Sequence, residues 1–410
     1  MKILNFGSCN IDFVYSLDHI VTPGETQHSY KMETFPGGKG LNQSIAIARG
    51  GANVYHAGCV GNDAQMLLDI MNESGVDTGY IKTVDCKNGH AIIQVNAQGE
   101  NSIFLHSGSN AMITKEYVDE VLDNFKKDDI ILLQNEISNL EYIIDKSYEK
   151  GMCIVLNPSP YDEIIERIDL GKISYIVLNE IEATQITGFE NIEEILNSFK
   201  KLYPDLKVML TLGKNGCVYL DKENRIFQPV FEVNPVDTTA AGDTFTGYFI
   251  ASLSKGEKYS DILKIASCAS AIAVSRNGAA PSIPNMEEVK NSLVHLNENI
   301  TQKSGTLQNK IIKYIDENIR IATLDELARH IGYSRSYTAD LVKKMFGKPF
   351  TKLLQDKRCK LAVKLLSDGE KSVNEIIECV GYENRTFFRT VFKNKYGKNL
   401  LEYKKDHIRK

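Results

Sequence analysis

The 410-residue sequence lacks the features of a membrane protein, of a disulfide-linked protein and of a zinc protein. No apolar run approaches the length of a membrane span, and the N-terminal residues are typical of a first β-strand rather than of a signal peptide. The eight cysteines are scattered along the chain and form no C-x-x-C pair, which favours reduced thiols. These absences predict a cytoplasmic protein with no membrane partner.

The charges divide the chain into two parts. Residues 307–410 contain 23 Lys and Arg and 13 Asp and Glu, a net charge of +10, whereas the 25 Lys and Arg and 40 Asp and Glu of residues 1–306 give −15. The length predicts two or three domains, and the basic part indicates a nucleic-acid partner for that part only. A solvated, lysine-rich helical surface is the alternative.

Short apolar runs alternate with helical patterns over residues 1–296. The predicted strands are Ile3–Phe6, Ile130–Leu133, Cys153–Leu156, Tyr175–Leu178 and Val208–Leu212. Amphipathic segments between them include Tyr117–Phe125, Leu140–Lys150 and Ile192–Leu202. This alternation predicts an α/β fold with a mostly parallel sheet covered on both faces, which binds ligands beyond the carboxyl ends of its strands. A small second sheet over the site is predicted from Phe13–Leu17, Tyr30–Phe35, Ile92–Asn96 and Ser102–Leu105.

One stretch combines an anion site with a carboxylate. A predicted strand end at Phe231–Val233 leads to Ala240, Ala241 and Gly242, which precede an apolar helix. Small residues at a helix N-terminus let unpaired backbone N–H groups attract an anion. Asp243 follows at once, and phosphoryl transfer to a hydroxyl needs both donors for the moving charge and a base for the proton. From these residues alone, a glycine turn with an Asp helix cap is equally compatible.

A second glycine-rich segment, Gly37–Asn42, precedes a helix of small residues. Its glycines would let the backbone approach a ligand closely, and Lys39 and Asn42 supply hydrogen-bond donors. No G-x-x-x-x-G-K-[ST] motif occurs, so the segment is not a Walker A loop, and a structural turn is the alternative. Polar residues also follow predicted strand ends, namely Asn10, Asp12, Glu136, Asn157, Asn179, and Thr211 with Gly213.

In this order and spacing, the segments resemble the ribokinase family of carbohydrate and nucleoside kinases. The resemblance covers the first three quarters of the chain and is carried by residues 37–42, 96–101, 157–160, 179–182, 211–216, 237–243 and 278–282. It implies a ribokinase-like sheet with a small β lid, and ATP-dependent phosphorylation of a sugar primary hydroxyl with Mg²⁺ and K⁺. Ribose is the expected sugar, while deoxyribose, a nucleoside or a ketose stays open.

The resemblance also implies residue roles. Asp243 matches the catalytic base, and the N–H groups of Ala240, Ala241 and Gly242 match the anion hole. The positions that hold the sugar match Asn10, Asp12, Gly38, Lys39, Asn42, Glu136 and Asp243. The nucleotide side matches Asn179, Thr211, Gly213, Gly216 and Gly242, Glu182 ends a motif tied to Mg²⁺, and a potassium site matches Asp237, Thr239, Ala273, Arg276, Gly278 and Ser282. A homodimer through the lid sheets is implied as well.

The C-terminal part has a different pattern. Residues 297–306 are polar and patternless, which predicts a linker, and every later segment is helical. A capping box at Thr323 opens a helix that stops at Gly332, and another at Ser372 opens one that stops at Gly381. Each is followed by a second helix, so residues 307–410 are predicted to be an all-α domain with two helix-turn-helix units.

The second helix of each unit carries the predicted DNA contacts. The apolar positions, predicted to be core, are Leu341, Val342, Met345 and Phe346, then Phe387, Phe388, Val391 and Phe392. The polar positions, predicted to face double-stranded DNA, are Ser334, Arg335, Ser336, Tyr337 and Thr338, then Glu383, Asn384, Arg385, Thr386 and Arg389. This segment resembles the DNA-binding domain of AraC/XylS-type transcription regulators, most closely over residues 372–403. An all-helical protein-interaction module is the alternative.

Two functions therefore stay open. In the first, an ATP-dependent sugar kinase is coupled to sequence-specific DNA binding and transcription regulation. In the second, the kinase fold serves only as the ligand-binding domain of a non-catalytic, sugar-sensing regulator. The intact Gly242–Asp243 and Asn179–Glu182 segments favour the first function, whereas the sugar contacts would serve either.

Overall fold

The structure, a computed structural model, describes residues 1–368 and 371–407, without the side chains of residues 295–306, 336, 406 and 407. It contains two compact units, Met1–Val294 and His295–Lys410. Among the described residues, no helix combines the length and the apolar character that crossing a membrane requires.

The first unit contains two β-sheets. The strands, in chain order, are β1 Ile3–Phe6, β2 Asn10–Ser16, β3 Lys31–Gly37, β4 Val54–Val60, β5 Asp77–Thr83, β6 Gly89–Val95, β7 Asn101–His106, β8 Ile130–Gln134, β9 Cys153–Asn157, β10 Tyr175–Asn179, β11 Lys207–Thr211, β12 Cys217–Leu220 and β13 Arg225–Gln228. The larger sheet has the order β13-β12-β11-β10-β9-β8-β1-β4-β5, and the smaller one has the order β3-β2-β6-β7. The larger sheet is parallel from β11 to β5, and β12 and β13 are antiparallel.

Helices cover this sheet. They are α1 Lys39–Arg49, α2 Gln65–Glu73, α3 Lys115–Leu122, α4 Leu140–Glu149, α5 Glu163–Arg167, α6 Glu180–Thr187, α7 Ile192–Leu202, α8 Ala241–Ser254, α9 Tyr259–Val274 and the part up to Val294 of α10 Met286–Glu317. Short 3₁₀ turns occur at Gly108–Met112, Leu170–Lys172, Gly213–Asn215 and Ala280–Ser282. The five predicted strands form the continuous block β11-β10-β9-β8-β1, which confirms the predicted parallel α/β sheet, and the four-stranded sheet confirms the predicted lid.

The sequence did not reveal every strand. β4 carries His56 and Gly58 inside its apolar run, and β12 and β13 form an antiparallel pair at the sheet edge. The predicted strand end at Phe231–Val233 was wrong, because β13 ends at Gln228 and residues 229–235 are irregular. Prolines at positions 229 and 235 bracket that segment, and a proline cannot donate to a strand ladder.

Strand register brings the polar strand ends to one edge of the large sheet. Gln134 at the end of β8 lies opposite Asn157 at the end of β9. Asn179 at the end of β10 likewise lies opposite Thr211 at the end of β11. Because these strands are parallel, their carboxyl ends share this edge, which is where open α/β sheets bind ligands.

The second unit consists of helices. These are the C-terminal part of α10, then α11 Leu324–Ile331, α12 Arg335–Phe346, α13 Phe350–Asp368, α14 Val373–Cys379, α15 Arg385–Tyr396 and α16 Leu400–His407. Thr323 and Ser372 cap α11 and α14 as predicted. One buried cluster contains Ile311, Leu327 and Val342, and a second contains Ile376, Phe388 and Phe392. Each predicted helix-turn-helix therefore has a core of its own.

Residues 297–306 differ from the prediction. The sequence pattern predicted a linker there, whereas the backbone of these residues is helical and belongs to α10. Their side chains lie outside the described part of the chain. The domain boundaries at 296 and 307 stay a prediction.

Two glycines allow α1 and α8 to pack in direct contact. A Cβ atom on Gly247 of α8 would lie 2.3 Å from the Ala46 Cβ and 2.9 Å from the Gln43 carbonyl oxygen. A Cβ on Gly50, which follows α1, would lie 2.8 Å from the Ala251 Cβ. The two helices can therefore approach this closely because Gly247 and Gly50 have no side chains.

We expect Gly247→Ala to destabilise the protein by roughly 1–3 kcal/mol, because overpacking forces well-packed elements apart. Thermal unfolding would measure the loss. Gly242→Ala is the matched control on the same helix, since its Cβ would meet no atom within 4 Å, and its melting temperature should stay at the wild-type value. Equal melting temperatures for both variants would show that α1 and α8 can move apart without a loss of stability.

Candidate active site and nucleic-acid interface

The carboxylate of Asp243 lies where the first turns of α1 and α8 meet. Asp243 is buried. Its Oδ1 accepts a hydrogen bond of 2.8 Å from Gln43 Nε2, and its Oδ2 accepts one of 3.1 Å from Asn42 Nδ2. The Oδ1 atom of Asn42 is itself buried without a hydrogen-bond partner, so it is available to accept a bond from a ligand hydroxyl. The structure thus brings together the predicted base and one predicted sugar contact.

A chain of buried amides continues from Asp243 into the core. Gln43 Nε2 also donates to Asn157 Oδ1 at 3.0 Å, and Gln134 Nε2 donates to Gln43 Oε1 at 2.7 Å and to Asn5 Oδ1 at 2.9 Å. Asn5 Nδ2 donates to Ser44 Oγ at 2.8 Å. Sequence reasoning missed Gln43 and Gln134. A polar residue that ends a buried apolar strand, as Gln134 ends β8, was the available signal.

The chain of polar groups ends at His56. Its Nδ1 lies 2.8 Å from Ser44 Oγ, and its Nε2 lies 3.3 Å from Cys9 Sγ. Burial lowers the pKa of His56 to about 4, so the imidazole is neutral at physiological pH. His56 therefore acts as a neutral hydrogen-bonding group of the core.

Asp12, Glu136, Asp243 and Lys39 form a cluster of charged groups, in which the charges of Glu136 and Asp243 act on both Asp12 and Lys39. Burial first, and then the charges of Glu136 and Asp243, raise the pKa of Asp12 to about 7. Burial also raises the pKa of Glu136, against the charge of Lys39 and hydrogen bonds from Ser8 Oγ and from the Lys39 backbone N–H. For Lys39, burial alone would lower the pKa, but the neighbouring carboxylates, Asp243 first, raise it on balance. The cluster therefore holds more acidic groups than cations.

The glycines before α1 permit a tight backbone crossing. Gly38 has a φ of 91°, and a Cβ there would lie 2.9 Å from the Asn10 backbone nitrogen. A Cβ on Gly40 would lie 2.3 Å from the Ser8 nitrogen. This crossing places Lys39 beside β2. The side chain of Asn10 is buried, and its Oδ1 accepts a bond of 2.7 Å from Asn110 Nδ2.

The predicted anion hole forms the first turn of α8. Ala240 is its N-cap and adopts the left-handed conformation with a φ of 59°, which costs a residue with a side chain about 1 kcal/mol. The Ala241 N–H donates to the Thr238 carbonyl at 3.2 Å, so that group is already engaged in the structure. Gly242 is exposed. The strained N-cap could not be read from the sequence.

The predicted potassium residues lie in two connected segments. Asp237 Oδ1 accepts from the Thr239 N–H at 2.8 Å, and Oδ2 accepts from the Gly278 N–H at 3.0 Å. Burial alone would raise the pKa of Asp237, but these hydrogen bonds lower it on balance. Arg276 pairs with Glu288, the Ala273 carbonyl accepts from the Arg276 N–H at 3.0 Å, and Ser282 Oγ donates to the Ala279 carbonyl at 2.8 Å.

The predicted nucleotide and Mg²⁺ residues lie at the ends of β10 and β11. Asn179 caps α6: its Oδ1 accepts from the Glu182 N–H at 2.9 Å, and Glu182 Oε2 accepts from the Asn179 N–H at 3.0 Å. One carboxylate oxygen of Glu182 is thus used in this capping box. Thr211 Oγ1 donates to the Leu178 carbonyl at 3.3 Å. Gly213 starts an exposed 3₁₀ turn, and a Cβ on Gly216 would lie 2.1 Å from the Gln228 carbonyl oxygen.

In the first helix-turn-helix, Arg335 and Ser334 lie on the exposed N-terminus of α12. Ser334 caps the helix, and Arg335 Nε lies 2.9 Å from Asp325 Oδ1. Tyr337 is half-buried against Tyr333, and burial raises its pKa to about 12. The prediction that Thr338 faces outward was wrong: it is buried, and its hydroxyl donates to the Ser334 carbonyl. The side chain of Ser336, also predicted to contact DNA, lies outside the described part.

The second helix-turn-helix exposes most of its predicted contacts. Glu383 and Thr386 are exposed, and Asn384 is exposed and caps α15. Arg385 pairs with Glu378, and Arg389 Nη2 donates to Asn374 Oδ1 at 3.2 Å.

The predicted core position of Phe387 was wrong. The residue is 51% exposed, whereas Phe388 and Phe392 of the same helix are buried. The sequence pattern predicted that Phe387, Phe388, Val391 and Phe392 all face the core, whereas α15 buries Phe388 and Phe392. Phe387 therefore lies on the outer face with Thr386 and Thr390.

We expect Asp12 to reduce stability as the pH rises. A carboxyl group with a pKa near 7 in the folded state and an ordinary pKa near 4 in the unfolded state stabilises the fold fully below about pH 4, and this contribution is lost as the pH rises through 7. Asp12→Asn should therefore gain roughly 4 kcal/mol over wild type between pH 4 and pH 8, as denaturant unfolding at several pH values would measure.

His56 acts in the opposite direction. Its pKa of about 4 means that stability falls as the pH drops from about 6.5 to 4. Asp12→Asn should therefore lose stability on acidification more steeply than wild type does. Asp18→Asn, which changes an exposed carboxylate on the segment after β2, is the control. Parallel curves for Asp12→Asn and wild type would contradict the assigned shift.

Comparison with known proteins agrees with this geometry. Residues 1–286 match the pfkB family of carbohydrate kinases, and residues 327–406 match a helix-turn-helix domain. Ribokinase from Staphylococcus aureus is 35% identical over 301 residues, which are 70% of this chain and 98% of the relative.

Solved structures give the same result. Ribokinase from Cryptococcus neoformans in complex with ADP is 31% identical, with a TM-score of 0.63, over 71% of this chain and 99% of that one. Ribokinase from Arabidopsis thaliana complexed with ribose and ATP is 27% identical, with a TM-score of 0.63, over 71% and 97%. The chain therefore belongs to the pfkB family of carbohydrate kinases and carries a helix-turn-helix domain in its C-terminal part.

Proposed function

We propose that the first unit transfers the γ-phosphoryl group of ATP to the primary hydroxyl of a pentose, ribose above others, with Asp243 as the base. The observation that carries the proposal is the buried Asp243 carboxylate at the N-terminus of α8, held by Asn42 and Gln43 at the carboxyl edge of the sheet. The Arabidopsis ribokinase that shares this fold is complexed with ribose and ATP. Deoxyribose, a nucleoside or a ketose is the alternative substrate.

The proposed reaction proceeds at one sugar oxygen. Asp243 accepts the hydroxyl proton while that oxygen forms a bond to the γ-phosphorus, and the bond between this phosphorus and the bridging oxygen breaks to release ADP. The N–H groups at the start of α8, with Gly242 exposed towards solvent, stabilise the negative charge on the moving group. Ala240 and Ala241 shape this turn.

The sugar pocket offers acceptors for several hydroxyl groups. Asp12 and Glu136 present carboxyl groups, and Asn42 Oδ1 is a buried acceptor without a partner. Lys39 provides the cationic donor among them. Gly38 lets the backbone approach, and Asn10 orients the start of β2 through Asn110. A polyol satisfies such a set, because each hydroxyl can donate one hydrogen bond.

The donor atoms fit both expected metal ions. The hydrogen bonds that lower the pKa of Asp237 favour its negative charge. The proposed potassium site would combine this charge with oxygen atoms of Thr239, Ala273, Arg276, Gly278 and Ser282, which suits a monovalent cation such as K⁺. Glu182 keeps one carboxylate oxygen outside its capping box for Mg²⁺, directly or through water. Bound Mg²⁺ would neutralise phosphate charge. Asn179, Thr211, Gly213 and Gly216 would hold the nucleotide at the ends of β10 and β11.

We expect Asp243→Asn to lower kcat by roughly 10²–10⁴-fold, because the hydroxyl proton loses its positioned acceptor. The assay measures ADP release with Mg²⁺ and K⁺ across a panel of pentoses, hexoses and nucleosides. Asp261→Asn, an exposed carboxylate in the first turn of α9, is the control. A wild-type rate in Asp243→Asn would remove this residue from the mechanism.

We further propose that the second unit binds double-stranded DNA in the cytoplasm and couples sugar binding to transcription regulation. Arg335, Arg385 and Arg389 lie exposed on α12 and α15, where recognition helices reach base edges. Exposed Lys343, Lys344 and Lys393 would neutralise phosphates, whereas Lys395 pairs with Asp356. The match to a helix-turn-helix domain supports this part. Without catalysis, the first unit would serve as a sugar sensor.

A homodimer through the lid is also part of the proposal. Four apolar side chains of the smaller sheet are about half exposed: Met32 at 49%, Ile103 at 52%, Phe104 at 54% and Leu105 at 50%. They lie on β3 and β7, the two edge strands of this sheet, and exposed apolar side chains on edge strands favour association with another protein surface.

Coupling predicts that the sugar changes DNA affinity. A duplex selected from a random pool by the purified protein would be titrated with and without ribose, at fixed salt. We expect Kd to change by roughly 5–150-fold, the usual range of allosteric coupling, and Arg389→Ala to weaken binding to the selected duplex by about 1–3 kcal/mol. Identical affinities with and without ribose would contradict the proposed coupling. That result would not bear on the proposed kinase activity.

A further inference from the structure

Gln43 occupies a buried position between the candidate base and the core of the first unit. Its side chain has 0% exposure. The two hydrogens of Nε2 go to Asp243 Oδ1 at 2.8 Å and to Asn157 Oδ1 at 3.0 Å, while Oε1 accepts from Gln134 Nε2 at 2.7 Å. All the hydrogen-bonding groups of this amide are therefore engaged.

Neighbouring amides determine which way the Gln43 amide points. Gln134 Nε2 also donates to Asn5 Oδ1, and Asn5 Nδ2 donates to the Gly40 carbonyl at 2.7 Å. Asn157 Nδ2 donates to the Val177 carbonyl at 2.9 Å. Reversing the Gln43 amide would place two donors against each other at Gln134 and two acceptors against each other at Asp243. Three strands of the large sheet thus direct an N–H group towards Asp243.

We propose that Gln43 is a positioning residue for Asp243, whose Nε2 hydrogen bond holds Oδ1 and leaves Oδ2 to accept the proton of the sugar hydroxyl. This inference rests on the proposed role of Asp243 as base. Oδ2 accepts a bond of 3.1 Å from Asn42 Nδ2 and keeps its second lone pair for the hydroxyl proton. The reacting hydroxyl is thereby directed to one oxygen of the carboxylate.

A neutral donor suits this position. The charged groups that face Asp243 are Lys39 on α1, Asp12 on β2 and Glu136 after β8. A second cation in place of Gln43 would make the carboxylate a weaker base, whereas an amide N–H favours the ionised form and orients it without adding charge.

The test compares Gln43→Met with wild type in the full-length protein, using ribose, ATP and Mg²⁺. Methionine keeps the length of the side chain but has no N–H donor. We expect kcat to fall by about 10-fold with the KM for ribose within twofold, because the buried Gln43 amide bonds Asp243, Asn157 and Gln134 and has no free group for a sugar. The acid limb of kcat/KM should move to higher pH, since the ionised carboxylate loses a donor.

Tyr117→Phe controls for lost buried hydrogen bonds. The Tyr117 hydroxyl donates to the Gly58 carbonyl and accepts from the Gly58 N–H, both at 3.0 Å. This variant should lower the melting temperature without moving the acid limb. If Gln43→Met does not fold, Gln43→Glu serves instead: it keeps the acceptor for Gln134, and its second oxygen must share a proton with Asp243, so the acid limb should move further still.

An unshifted acid limb with a wild-type kcat in the folded Gln43 variant would overturn the positioning role. A shift of equal size in Tyr117→Phe would overturn it as well, because the effect would then report general destabilisation. Asp243→Asn, measured in parallel, separates the two proposals. An active Asp243→Asn rejects the base itself, whereas an inactive Asp243→Asn with an unshifted Gln43 variant rejects only the positioning.

Discussion

The direct contact between α1 and α8 is the constraint on which the first unit depends. Because Gly247 has no side chain at the crossing with Ala46, the first turns of both helices come within hydrogen-bonding distance, and Asn42 and Gln43 reach both oxygens of Asp243. A buried carboxylate without such donors would cost several kcal/mol or lose its charge. Helix packing and the chemistry of the proposed base therefore have one physical origin.

The carboxyl groups near Lys39 would let the proposed site separate sugar from phosphate. The charges of Glu136 and Asp243 act on both Asp12 and Lys39, and burial already raises the pKa of Asp12 and Glu136. A bound sugar would stabilise these carboxyl groups, because its hydroxyl groups donate hydrogen bonds to the carboxyl oxygens. Phosphate groups would meet repulsion here and attraction at the N-terminus of α8, whose N–H groups carry partial positive charge. The electrostatics thus favour sugar on one side of Asp243 and phosphate on the other.

Sequence patterns predicted the local features and missed those that depend on contacts between distant segments. The apolar runs of β1 and of β8 to β11 and the Asp243 stretch carry their signals within a few residues. The amide chain of Asn5, Gln43, Gln134 and Asn157 joins residues more than a hundred positions apart, and its local signal is limited to the polar strand ends at Gln134 and Asn157. The sequence did not single out Gln43 and Gln134, because burial of a polar side chain is a property of the packed sheet.

The errors in the second unit have a similar cause. Thr338 and Phe387 lie at the border between the apolar and the polar face of their helices. A small rotation of the helix about its axis determines whether such a residue is buried or exposed. Thr338 is buried because its hydroxyl bonds to the Ser334 carbonyl one turn earlier, which removes the cost of burying it. Phe387 is exposed because Phe388 and Phe392 already fill the cluster. Stripe patterns predict which helices pack, but neighbouring elements decide which border residues are enclosed.

The proposed DNA interface repeats one arrangement in its two halves. Arg335 and Arg385 are the first residues of α12 and α15, and each pairs with an exposed carboxylate of the preceding helix, Asp325 or Glu378. Exposed pairs of this kind contribute only about 0–1 kcal/mol, so exchanging the carboxylate for a base edge or a phosphate costs little. The pairing meanwhile reduces the freedom that each arginine would lose on binding. If the protein bound the DNA in another register, Asp325 and Glu378 would repel nearby phosphates. These carboxylates would therefore help to discriminate between binding positions, in addition to ordering the arginines.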